Sequence, residues 1–171
     1  MTELALTDVR AGSLADPRVL RAVELIWREA RILDEKDYLT WETLFTDDGM
    51  YVIPIDPATE DFAASLNMIY DDARMRRMRV ERMMQGYSPS AVAAARTVRT
   101  ISRFTVDEVS DTAVTLTSAQ VLVAYKRGRT DTLGAALSHT IALSDDGDRI
   151  ALKVVRLLNS DDPVNASGYL L

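Results

Sequence analysis

The sequence predicts an α+β cone, with N-terminal helices packed on a long, strongly curved antiparallel sheet. Two observations carry this. Apolar residues recur at spacings of three and four as far as about residue 45, and from Arg96 onward the period becomes two over long stretches. Helices gathered ahead of a meander of strands must bury their apolar stripes on one face of that sheet, and long bent strands wrapped around helices make a cone. At 171 residues the chain suits one domain, 1–171, burying roughly 70% of its unfolded surface. Residues 1–13 read as an N-terminal arm and 159–171 as a polar, weakly ordered C-terminal tail.

Asp16 is a good N-cap and Pro17 suits the first helical position, where a missing N–H costs nothing, so the first helix starts there. Val19, Leu20, Val23, Ile26, Trp27, Ala30 and Leu33 form its apolar stripe, opposite the charged Arg18, Arg21, Arg28 and Glu35. A second helix runs from about Tyr38 to Phe45, with Tyr38, Trp41, Leu44 and Phe45 inward. Asp47-Asp48-Gly49 is expected to turn the chain, because glycine accepts positive φ, and Met50 to Ile55 has the β-branched and aromatic content of a strand. Residues 56–66 hold no period and read as a loop. Asp71 or Asp72 then caps a third helix running to Met84, with Met75, Met78 and Met83 inward and Gly86 as its stop. That helix carries Arg74, Arg76, Arg77, Arg79 and Arg82.

Beyond Arg96, residues Val98, Thr100, Phe104 and Val106 share one parity. A turn at Val109 to Asp111 leads into Val114 to Lys126, a strand long enough to require a bend or bulge. After Gly128 to Asp131 turns again, Leu133, Ala135, Leu137, His139, Ile141 and Leu143 make the heavier, inward face of the next strand. Asp145 to Asp148 closes a hairpin, and Ile150, Leu152, Val154 and Leu158 alternate along the last strand.

Composition excludes several function classes. A net charge of −6 argues against nucleic acid as a partner, since phosphate binding rests on excess Lys and Arg. The longest apolar runs, such as Val121 to Tyr125, fall far short of the ~18 residues of a membrane span, so no membrane partner is expected. Met1 to Ala11 carries Glu3 and Asp8 and lacks the basic and apolar regions of a secretory signal, so the expected compartment is the cytoplasm. With no cysteine and one histidine, the chain has no disulfide, thiolate metal site or cysteine nucleophile.

Glu29-Ala-Arg-Ile-Leu-Asp34 with Tyr38 and Trp41, Leu44-Phe-Thr-Asp-Asp48 with Tyr51 and Pro54, and Ile69-Tyr-Asp-Asp72 leading into Arg79-Val-Glu-Arg82 and Gly86 follow one another at telling intervals. In these blocks the chain resembles, over about Val23 to Leu158, the small (beta) subunit of the Rieske-type aromatic-ring-hydroxylating dioxygenases. It departs from that family where Ser88-Pro-Ser90 is separated from Arg96 by Ala91 to Ala95, and at Gly134-Ala-Ala-Leu-Ser-His139. The resemblance implies a cone-shaped, nuclear-transport-factor-like (cystatin-like) fold. It also implies a non-catalytic subunit that supports a large (alpha) subunit holding a Rieske iron-sulfur cluster and a mononuclear iron, with trimeric self-association. The donor inventory agrees independently. A Rieske centre takes two cysteines and two histidines, and a mononuclear oxygenase iron two histidines and a carboxylate, so no cofactor is expected in this chain.

Two sets of residues compete for a site. The cone fold also hosts cofactor-independent isomerases and dehydratases, resembling steroid isomerases and scytalone dehydratase, and Asp34, Tyr38, Trp41 and His139 would make such a catalytic set in a hydrophobic cavity. The bland reading of His139 is a core histidine bonded to the backbone. On the third helix Arg76, Arg79 and Arg82 interleave with Met78, and both residue types are enriched at protein interfaces, which favours a subunit interface over a plain solvated face.

Overall fold

The computed structural model describes residues 12–85, 95–160 and 169–171. The elements in order are α1 (Pro17–Glu35), α2 (Tyr38–Thr43), β1 (Phe45–Pro54), β2 (Asn67–Asp71), α3 (Ala73–Gln85), β3 (Arg96–Val109), β4 (Ala113–Lys126), β5 (Arg129–Ala142) and β6 (Arg149–Leu157). The six strands form one open sheet in the order β2-β1-β6-β5-β4-β3, with the helices packed against it. Neighbouring strands are antiparallel except β1 and β6, which run parallel, so the sheet is mixed. Gly86, Ser88 to Ser90 and Ala91 to Ala94 lie outside the described residues.

The first helix begins where its cap dictates, with the Asp16 side chain accepting from the Arg18 N–H at 2.9 Å. Its stripe of Val19, Val23, Ile26, Ala30 and Leu33 joins Tyr38, Trp41 and Phe45 and the inner faces of β4 to β6 in one core. Leu20 and Trp27 do not belong to it. Trp27 is 51% exposed at the stripe's edge, packing edge-on against Phe104 and donating to the Ile101 carbonyl at 3.2 Å.

Several elements differ from expectation for identifiable reasons. The second helix stops at Thr43 and Asp47-Asp48-Gly49 lies inside β1, where the register with β6 shifts between Phe45 and Met50. Gly49 is needed for closeness rather than for positive φ, because a Cβ there would lie 2.7 Å from the Ile150 carbonyl oxygen. The loop 56–66 delivers the chain to β2, which pairs with β1 before Asp72 caps α3 through the Met75 N–H at 2.8 Å. On α3 the inward residues are Arg76, Val80 and Met83, while Met75 and Met78 face outward. The break expected in β4 falls in its partner instead. Arg103 takes φ 55° where the β3 register shifts, so Arg99 and Ile101 point inward before it and Phe104 and Val106 pack on the core after it. A second shift, opposite Thr140 and Ile141, reverses β6, so that Lys153, Val155 and Leu157 are buried and Leu158 is 82% exposed. Leu170 and Leu171, from the segment expected to be a polar tail, are buried in the core.

Candidate functional site

Charged chemistry is concentrated inside the cone. Glu29 sits on the α1 stripe three residues after Ile26 and four before Leu33, a spacing that turns its carboxylate into the core. Lys153 on β6 pairs across the sheet with His139 on β5, so both side chains reach the same layer. All three are buried. Glu29 Oε1 accepts from Lys153 Nζ at 2.8 Å and from Trp41 Nε1 at 2.8 Å, and its Oε2 meets His139 Nε2 at 3.4 Å.

Burial alone would raise the Glu29 pKa, but the Lys153 ammonium and the hydrogen bond from His139 overcome it and hold the carboxyl at about 2. Burial pushes His139 below the ordinary imidazole value and Lys153 below the ordinary lysine value, with Glu29 opposing both shifts. The resulting state is an ion pair of Glu29 with Lys153 and a neutral imidazole donating from Nε2. Among the described residues His139 Nδ1 has no hydrogen-bond partner.

Of the four residues predicted as a catalytic set, the structure brings Trp41 and His139 together on Glu29. Tyr38 is buried in the same core. Asp34 is elsewhere, accepting from Thr97 Oγ1 at 2.8 Å, from the Arg99 N–H at 2.8 Å and from the Arg99 guanidinium. It lines a groove of about 540 Å³ between α1 and β3, shared with Trp27, Ala30 and Val98. Asp34 is thus tied to the sheet through β3.

Glu29, Lys153 and Tyr51 escaped the sequence reading as polar participants. Glu29 carried a usable signal, a carboxylate at a stripe position, whereas Lys153 carried none, because simple alternation in β6 places it outward. The Tyr51 hydroxyl, pushed up in pKa by burial, donates to the Leu171 carbonyl at 2.9 Å, and its ring stacks edge-on against Trp41.

A family model described as ring hydroxylating beta subunit matches residues 28–161, which spans Glu29, Trp41, His139 and Lys153. The chain belongs to that family. Among curated proteins this beta subunit is 29% identical over 132 residues to the small oxygenase component of the p-cumate 2,3-dioxygenase system of Pseudomonas putida, covering 76% of this chain and 73% of the other. Its fold is similar to that of the beta subunit of benzoate 1,2-dioxygenase from Burkholderia mallei, with a TM-score of 0.74 at 21% identity over 90% of this chain and 97% of that one. It is also similar to an NTF2-like protein with a cystatin-like fold from Novosphingobium aromaticivorans, with a TM-score of 0.56 at 17% identity over 88% and 86% of the two chains. The cone-shaped, cystatin-like fold is therefore shared with these solved structures.

The predicted interface residues of this beta subunit divide. Arg76 is 2% exposed, donating to the carbonyls of Gly49 and Asp71 with its guanidinium 4.3 Å from the Phe45 ring centroid, so it is an internal strut and no part of an outer face. Arg79 is tied to the buried Asp71 carboxylate at 2.5 and 3.1 Å. Arg82 and Met78 stand outward, Met78 being 40% exposed.

The residues present do not fit a Rieske cluster or a mononuclear iron. The chain has no cysteine, and its one histidine presents Nε2 to Glu29 inside an ion-paired centre. Among the described residues no helix is long and apolar enough to cross a membrane.

Proposed function

We propose that this chain is the non-catalytic small component of an aromatic-ring dioxygenase, a single cytoplasmic domain that associates with its own copies as a trimer and supports an iron-containing large subunit. The match of residues 28–161 to the ring-hydroxylating beta subunit family carries the reading, and the p-cumate dioxygenase component supplies the reaction class by similarity. The geometry supports a structural role for the chain's own charged centre. The Glu29 carboxylate is held on both oxygens, Oε1 accepting from Lys153 and Trp41 and Oε2 from His139, and its charge is balanced by the Lys153 ammonium inside the core. An isomerase or dehydratase built on Asp34, Tyr38, Trp41 and His139 has less support, because Asp34 is committed to Thr97 and Arg99.

The outer face of α3, with Arg82 and Met78 exposed, is our candidate for contact with the large subunit. Arg82→Glu combined with Met78→Glu should leave the fold intact, since exposed side chains contribute little to stability. Co-expression with the cognate large subunit followed by size analysis should show weakened assembly. Equal assembly of wild type and variant would remove α3 from the interface, and failure of wild type to associate with any iron-sulfur protein would refute the subunit reading itself.

A further inference from the structure

The outer face of the sheet, turned away from the helices, carries a groove of about 670 Å³. Its floor is made of hydroxyls. Thr115 and Thr117 on β4 alternate with the buried Val114, Leu116 and Ser118, and Ser138 and Thr140 on β5 with the buried Leu137, His139 and Ile141, so all four stand on the outer face. Register aligns them. Thr105 pairs with Thr117 and Thr117 with Ser138, while Thr115 pairs with Thr140, their hydroxyls 3.3 Å apart. One wall is the 56–66 segment, held by Arg156, which donates to the Pro57 carbonyl at 3.0 Å, to Ser138 Oγ at 3.1 Å and to Glu60 at 2.9 Å, with its guanidinium over the Phe62 ring. The opposite wall is β3, from which Arg103 and Asp107 line the groove. Arg103 takes φ 55° at the register shift between Ser102 and Thr105, a left-handed conformation that a bulge normally assigns to glycine. Such a bulge re-aims a side chain, and backbone strain retained at a groove wall points to a use for the side chain that keeps it.

We propose that this groove binds a small polyhydroxylated carboxylate of the sugar-acid class. Each part of the groove sets one requirement. Among the described residues Arg103 has no ion-pair partner, whereas the Arg156 charge is balanced by Glu60, so one guanidinium is left over for an anion, and its planar fork fits a carboxylate. Asp107 lies four residues further along β3, on the order of 10 Å away in a bulged strand, where its carboxylate is an acceptor for ligand hydroxyls at the end remote from the anion. The floor hydroxyls both donate and accept, which matches an oxygen-rich body, and Phe62 offers an apolar ring to the C–H face of that body. An uncharged sugar would leave Arg103 unpaired, and a carboxylate without hydroxyls would set carbon against Asp107 and the floor. Binding there requires neither the Glu29 centre nor a large subunit.

The probe is D-glucuronate, and the protein is the full chain. Wild type should bind it saturably in calorimetry, with the largest amide shifts in magnetic resonance at Phe62, Thr117 and Ser138. Arg103→Gly removes the guanidinium and releases the strained φ together, so its Tm should be no lower than that of wild type while affinity falls about tenfold or more. A bulge residue with a purely structural role would move stability and leave affinity unchanged. Glucose, which lacks the charge, and cyclohexanecarboxylate, which lacks the hydroxyls, should each bind about fivefold or more weakly than glucuronate. No saturable binding by wild type, or equal affinity in Arg103→Gly, overturns the proposal. Should Arg103→Gly not fold, Thr117→Val, which removes a floor hydroxyl and nearly keeps its shape, decides in its place: unchanged affinity overturns it. Glucose binding as tightly as glucuronate overturns the assignment to an anion, and cyclohexanecarboxylate binding as tightly overturns the hydroxylated body.

Discussion

Replacing Lys153 with methionine keeps the stem and removes the ammonium, which isolates the role of the ion pair. Glu29 then keeps Trp41 Nε1–H at 2.8 Å and His139 at 3.4 Å but loses the charge that balances it in a fully buried position. Breaking one side of a buried pair costs about 3 to 5 kcal/mol, and the Leu171 main-chain oxygen loses a donor as well. Because His139 stands ready to take up a proton and replace part of the lost charge, we expect a total of about 3 to 4 kcal/mol in urea denaturation at pH 7. Adding Glu29→Gln removes the stranded carboxylate, so the double variant should be more stable than Lys153→Met alone.

The pH dependence supplies a second signature of the same substitution. In wild type, Glu29 is held down to about 2, so its stabilisation is complete above its ordinary 4.5 and is lost as pH falls toward 2. His139 is lowered from 6.5, so the folded state favours its neutral form and stability also falls as pH drops through 6.5. In Lys153→Met the unpaired Glu29 rises in pKa and His139 with it, so folding favours proton uptake and the gap to wild type narrows from pH 7 to pH 5. A single variant costing under about 1 kcal/mol, or a double variant costing the sum of its parts, would refute the view that this pair closes the core.

Three further outcomes are expected. Trp41→Ala removes a fully buried ring packed against Phe45 and Tyr51 and should cost about 3 to 5 kcal/mol in thermal or urea unfolding. Gly49→Ala drives a methyl group to 2.7 Å from the Ile150 carbonyl and should cost about 1 to 3 kcal/mol, whereas Gly128→Ala, where a Cβ meets nothing within 4 Å, carries only the backbone strain of φ 80°. The isolated, tag-free chain should bind no stoichiometric iron by elemental analysis, because it lacks two cysteines and a histidine for a Rieske cluster and a histidine for a mononuclear iron.

Local chemistry determined much of this protein from its sequence. Asp16-Pro17 set the start of α1, the three and four spacings set its buried stripe, and alternation from Leu133 to Ile141 set the inward face of β5, because caps and periods act between residues a few positions apart. The lack of cysteine and the single histidine bounded the metal chemistry in the same way. What only the tertiary structure decided depends on irregularities and on contacts between distant parts of the chain. A register shift in β6 reverses its parity and turns Lys153 inward to a glutamate 124 residues away, and one at Arg103 does the same along β3. Burial of Arg76 requires carbonyls at Gly49 and Asp71 that only the folded β1 and β2 present to α3. Leu170 and Leu171 reach the core because buried donors wait there on β1, β3 and β6, and no period in a segment of such composition announces donors held on other strands.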